Sequence, residues 1–482
     1  MASPWSATLA CLVLLSPAGC ATNPATGETQ LALIGEEQEI QMGREAAAQV
    51  EAQMGLVDDP ELQRYVSRIG QRLAAASERP DLPWRFQVVD DPTVNAFALP
   101  GGFIFVTRGI MAAFMSEAEM AAVLGHEIGH VTARHSVEQM SQQQLFGGLA
   151  GLGAVVFDLG SIAQGVLGTG LNLLFLQYSR DDERQADDLG LRYMVREGFA
   201  PQEMLDVFQT LERVGEASGG GGTPGWLATH PAPEDRFQRI SAAIEADTIR
   251  LADPIVHRDE YLRMIDGLVF GPDPRNGFFR GGEFLHPGLR FRMEFPGDWQ
   301  TRNLAQAVLA GSPQQDAIIQ LTLASQPSAD AALRELAAQQ GIRVASGSRT
   351  SVNGFPAAVA GFEAESQSGP IRGIAAFIEY GGNVYQVLGY AAASRYASYE
   401  GTFEGTIGSF DRLTDPSALA VEPRRIDLVR VDGRMDLQSF ASRYGASADL
   451  ETLSIINGVP EGGMLDPGTW KRVVGEAVRA GG

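Results

Sequence analysis

Residues Ser116 to His135 read Ser-Glu-Ala-Glu-Met-Ala-Ala-Val-Leu-Gly-His-Glu-Ile-Gly-His-Val-Thr-Ala-Arg-His, and this stretch decides the fold. Ser116-x-x-Glu119 is a capping-box pattern, so a helix opens there and runs through the two histidines. Residues four apart lie on one helical face, so His126 and His130 can offer ring nitrogens to a single ion. Neutral imidazole and carboxylate are the ligands zinc accepts, and catalytic sites leave one position open to water. Glu127, next to the first histidine, is placed to take a proton from that water without binding the metal. Gly129 leaves room beside the metal, either for a substrate or for a packed helix.

A third ligand is needed. Working outward, Glu183 and Asp187 are four apart on a helix expected over 182–197, with the small Ala186 between them allowing close helix packing. We assign Glu183 to the metal and Asp187 to a ligand histidine, which it would orient through the other ring nitrogen. Spacing alone leaves a second reading open. Asp181, Asp182 and Asp188 also lie here, as on a solvated acidic helix face. The only cysteines are Cys11 and Cys20, so a metal in the body of the protein must rely on histidine and carboxylate.

Three segments together resemble a known family. They are Gly125-His126-Glu127-Ile128-Gly129-His130-Val131-x-x-Arg134-His135, then Tyr178-Ser179-Arg180-x-x-Glu183-x-x-Ala186-Asp187-x-x-Gly190, and Asn95-Ala96-Phe97-Ala98-Leu99-Pro100-Gly101-Gly102. The chain is similar over roughly residues 20–250 to the CAAX-prenyl proteases and HtpX-like zinc metallopeptidases, and within them to the exported BepA/LoiP-type branch. Thr229-His230-Pro231 with Arg236, and Asn23-Pro24-x-Thr26-Gly27, fit the same resemblance. It implies a compact gluzincin with one zinc held by His126, His130 and Glu183, and Glu127 as general base. Asn95, Ala96 and Phe97 would belong to an edge strand that pairs with extended substrate backbone. His230 would gate the site as an extra ligand or stabilise the oxyanion; otherwise it is a loop histidine that packs locally. Arg236 is placed with the catalytic group as an oxyanion or outer-sphere partner, with a structural salt bridge as the alternative. His135 reads as structural, past the site on the same helix.

Length and composition bound the rest. At 482 residues, two or three domains are expected, and 44% apolar with 20% charged residues is ordinary for a globular protein. A net charge of −22 excludes a nucleic-acid partner, which would need a basic face. The fold class expected is α+β. A mainly helical peptidase domain with a small edge-strand sheet spans 21–265, and an α/β sandwich-like accessory domain spans 283–415. Residues 424–476 resemble a LysM-like βααβ module, which makes peptidoglycan a candidate partner. Leu9 to Leu15 is a short apolar run inside an export signal over 1–20. Pro17-Ala18-Gly19-Cys20 resembles a lipoprotein processing site, which would lipidate Cys20 and attach the protein to the outer membrane, facing the periplasm. A plain secretory signal is the alternative. The Gly-rich apolar stretch 145–176 reads as buried helices or a flap, with a membrane span as the competing reading. The implied activity is hydrolysis of unfolded or misassembled envelope proteins. A non-proteolytic assembly factor or chaperone on the same fold, and a cell-wall-anchored binding protein, are the competing functions.

Overall fold

The structure is a computed structural model that describes residues 20–150, 178–217, 225–231, 235–246, 251–345, 347–366 and 369–476. The export signal, most of the 145–176 stretch and the Ser218–Gly222 run lie outside the described residues.

The chain mixes helix and sheet. In the first part, helices Glu36–Met54, Pro60–Ala75 and Glu117–Thr132 pack on a three-stranded sheet, and helices Arg180–Arg196 and Glu203–Ala217 pack on the 117–132 helix. Local chemistry starts several of them. Asp59 accepts from the N–H groups of Glu61 and Leu62 with Pro60 in the first turn, and Leu62, Val66, Ile69 and Leu73 then line a buried face at helical spacing. Ser116 and Glu119 form the expected reciprocal cap. In the sheet, Phe103–Thr107 is central, parallel to Arg85–Val89 and antiparallel to Ala96–Leu99, which is an edge.

The 117–132 helix is buried along its whole length, and the 180–196 helix packs directly across it. Gly129 stands against the neighbouring helix: a Cβ there would lie 2.9 Å from the Ala186 carbonyl oxygen, and one on Gly190 would lie 2.9 Å from the His126 nitrogen. The helix does not continue through Arg134. That residue takes a left-handed φ of 60°, held by Arg134 Nε to Glu39 Oε2 at 2.9 Å and Nη2 to the Ile34 carbonyl at 2.8 Å. A separate helix, His135–Ala150, begins after it.

Strands from Phe278 to Arg412 form an eight-stranded antiparallel sheet and a four-stranded one. Helices Ala329–Ala338 and Tyr396–Gly408 pack on the larger sheet. The last unit runs strand Arg425–Val431, helices Leu437–Tyr444 and Leu450–Asn457, and strand Gly468–Val474, the two long strands pairing with each other. It shares one hydrophobic cluster with the helical part. Lys471, the single lysine of the chain, is fully buried there. Its Nζ donates to the carbonyls of Ala112 and Phe114 at 2.7 and 2.6 Å, just before the 117–132 helix. Among the described residues no helix is long and apolar enough to cross a membrane.

Candidate metal centre

Two helices and one short loop bring the donors together. His126, Glu127 and His130 come from the middle of the 117–132 helix, Glu183 from the first turn of the 180–196 helix, and His230 from the end of the short helix Trp226–Thr229. His126, His130, Glu183 and His230 each offer one ligand atom, all within 4.8 Å of one another. His126 Nε2 lies 3.0 Å from His130 Nε2 and 3.3 Å from His230 Nδ1. Glu183 Oε1 lies 3.3 Å from His130 Nε2 and 2.9 Å from His230 Nδ1. Four donors about 2.0–2.1 Å from a tetrahedral ion of zinc size stand about 3.3 Å apart, so the set fits one such ion.

The electrostatics suit that fit. Burial lowers His126 and pushes His130 well below the usual imidazole range, which favours the neutral form that can bind metal. Burial alone would raise the Glu183 carboxyl, but His230, His126 and His130 hold it well below the usual carboxylate range. Burial pushes Glu127 up to about 7, against the opposing pull of His230. Both Glu127 oxygens and Glu183 Oε2 are buried without a hydrogen-bond partner among the described residues. Orphaned carboxylate oxygens in a dry interior are costly unless a metal, a water or a substrate meets them.

The residues expected around the metal fall at different depths. Asp187 Oδ1 meets His126 Nδ1 at 3.0 Å. Arg236 lies behind Asp187, donating from Nε at 2.9 Å and Nη2 at 2.6 Å, and its Nη2 is 3.9 Å from Glu183 Oε2. In this closed arrangement it supports the carboxylate behind His126. Asn95 is tied to the central strand, its N–H donating to Thr107 Oγ1 at 3.1 Å. Phe97 stacks on Phe105 at 5.3 Å, and Ala96 is buried in the main core. Only the backbone edge of this strand is left to pair.

His230 stands with the other donors. Its ring stacks on Trp226 at 4.2 Å, the backbone N–H of Trp226 donates to the Val94 carbonyl at 3.1 Å, and the backbone N–H of Tyr178 donates to the Thr229 carbonyl at 3.2 Å. None of His126, Glu127, His130, Glu183 and His230 is more than 2% exposed. Two neighbours are assigned no site role by the sequence reading. Tyr178 stacks on the His130 ring at 3.9 Å, and His135 Nδ1 lies 2.9 Å from His130 Nδ1. Tyr178 stands inside the family-like 178–190 segment, the one signal that could have pointed to it. His135 could not be placed because the helix break at Arg134 is a tertiary effect.

Residues 60–244 match the model of peptidase family M48. The chain is 31% identical over 222 residues to the beta-barrel assembly-enhancing protease of Yersinia pestis, covering 44% of this chain and 45% of that protein. It is 30% identical over 224 residues to the protein of the same description from Escherichia coli strain K12, covering 45% and 46%. It is 38% identical over 178 residues to the mitochondrial metalloendopeptidase OMA1 of Schizosaccharomyces pombe, covering 36% and 51%. The chain thus spans about half the length of these curated relatives. A solved structure of cyanobacterial PsbP from Synechocystis aligns over 27% of this chain and 91% of that one, at 12% identity and a TM-score of 0.24.

Proposed function

We propose that the protein is a zinc-dependent endopeptidase that hydrolyses misfolded or misassembled proteins of a bacterial envelope, exported and held at the outer membrane through a lipidated Cys20. The observation that carries the reading is the buried donor set of His126, His130 and Glu183 with the buried Glu127 carboxylate beside it. A protein that only bound its partners would have no need of that carboxylate. The envelope and its proteins as substrates rest on the export signal read from the sequence, and the bacterial relatives' description as beta-barrel assembly-enhancing proteases supports a protease.

Bound to these residues, zinc would polarise a substrate carbonyl and lower the pKa of a water to about 7. Glu127, adjacent to His126 on the same buried helix, is placed to accept the water proton and return it to the leaving amide nitrogen. The outer edge of the 96–99 strand would hold the substrate backbone extended. His230 occupies the fourth donor position, and we read it as the group that leaves before a substrate enters.

The test is casein cleavage by zinc-loaded wild type, Glu127→Gln and His230→Ala. Glu127→Gln should keep its zinc and lose at least about a hundredfold in rate, the scale of a lost general base. His230→Ala should be at least as active as wild type, and a loss there would give His230 the oxyanion instead. Cleavage by none of the three would leave a non-proteolytic assembly factor as the better reading, and equal cleavage by wild type and Glu127→Gln would remove Glu127 as the general base.

A further inference from the structure

An imidazole that gives Nε2 to a metal carries its remaining proton on Nδ1, and the acceptor of that proton fixes the ring. The two candidate ligand histidines differ sharply in that acceptor. His126 meets the anionic Asp187, itself gripped by Arg236. His130 meets another imidazole, with His135 Nδ1 at 2.9 Å. If His130 donates, His135 Nδ1 accepts, and the His135 proton must lie on Nε2. The partner found there is an acceptor: Gln185 Oε1, at 2.8 Å. The Asp182 carboxylate is farther from the same nitrogen, at 3.6 Å.

The chain of partners reaches the N-terminal segment. Asn23 Nδ2 donates to Gln185 Oε1 at 3.4 Å, to Gln30 Oε1 at 2.9 Å and to the Ala133 carbonyl at 3.1 Å. Its Oδ1 is consumed by its own turn, accepting from the N–H groups of Ala25 and Thr26 at 2.9 and 3.2 Å. Asn23 therefore points its amide nitrogen inward, three residues after Cys20. His135 is brought to this place by the left-handed Arg134. In an uninterrupted helix, residues five apart are rotated by about 140°, and His135 would face away from His130.

We propose that His135 is a positioning residue that holds His130 in its metal-binding tautomer, and that Gln185 and Asn23 tie this hold to the turn following Cys20. The inference rests on the reading of His126, His130 and Glu183 as zinc ligands. Outer-sphere partners of this kind are worth about 10- to 100-fold in metal affinity.

The experiment is zinc affinity by chelator competition on the full chain, with metal-free melting temperature and imidazole ¹⁵N NMR on the six histidines. His135→Phe keeps a ring but removes the acceptor, and should weaken zinc binding about 10- to 100-fold. His135→Asn places an oxygen near the lost Nδ1 and should recover most of that affinity, which a purely space-filling role would not predict. The NMR should show protons on His130 Nδ1 and His135 Nε2. Wild-type affinity in His135→Phe, an equal loss in His135→Asn, or a proton on His135 Nδ1 would each overturn the proposal. A Glu183→Ala variant separates the two claims. If it binds zinc like wild type, the ligand assignment fails; if it loses zinc while His135→Phe does not, only the positioning role fails.

Discussion

The helical part and the sheet-rich part of this protein bury different kinds of side chain. Around the 117–132 helix the interior holds Glu39, Arg79, Glu117, Glu119, His126, Glu127, His130, Glu183, Asp187 and Arg236. Between Phe278 and Arg412 the fully buried polar side chains among the described residues are Ser312, Gln320 and Thr406, all neutral. Taking a charge out of water costs several kcal/mol unless geometry and hydrogen bonds offset it. The sheet-rich part avoids that cost and packs aromatic rings such as Phe291, Tyr385 and Phe410 against one another. In the helical part much of the cost is concentrated at the metal centre and its supports, which is where chemistry needs charge in a dry place. The difference sets the candidate site's part of the molecule apart from the sheet-rich part by the charge it buries.

Three substitutions would sharpen or break this contrast. The largest effect is expected from Phe403→Ala, which empties a fully buried aromatic site in the sheet-rich part. It should cost about 3–5 kcal/mol in urea unfolding, with zinc content and casein cleavage of the folded fraction unchanged. A parallel fall in activity would make the two parts one functional unit. Next is Arg236→Met, which leaves the Asp187 carboxylate buried with only Arg239, at 3.4 Å, as a cationic neighbour. A loss of about 3 kcal/mol together with weaker zinc binding is expected, and intact zinc affinity would reduce Arg236 to a structural salt bridge.

The smallest effect is pH-dependent and lies in the sheet-rich part. Burial pushes His286 down to about 4, and its Nδ1 accepts from the Leu289 N–H, which only the unprotonated nitrogen can do. Because the folded state holds this proton more weakly than the unfolded state, stability rises with pH between about 4 and 6.5 and is lost on acidification through that window. The wild type should lose up to about 3 kcal/mol more than His286→Gln between pH 7 and pH 4, with the two pH dependences running parallel above pH 7. Identical urea midpoints relative to pH 7 across the whole range would remove His286 from the account.

Much of the metal centre was legible because its key spacings are local. His126 and His130 share a face through the helical repeat alone, and Glu183 and Asp187 do so for the same reason. The Ser116–Glu119 cap was equally readable, since the bonds that start a helix lie within one turn. Gly129 left two readings, a substrate or a packed helix, and the 180–196 helix fills that space. The sheet register, the αL break at Arg134 and the approach of Asn23 to Gln185 depend on segments far apart in the chain, so no local pattern signals them. The docking of Lys471 onto Ala112 and Phe114 is of the same kind.

The sequence by itself determined a helix that presents two histidines and a glutamate to one point, with a second acidic pair able to complete the set. Only the tertiary structure decided which side chains stand behind those ligands. Arg236 came closest to Asp187, His230 came into the fourth position, and His135 turned back onto His130. The physical reason is range. Helical periodicity acts over a few residues, whereas the acceptor that fixes an imidazole is supplied by whichever distant segment the packed core brings within about 3 Å.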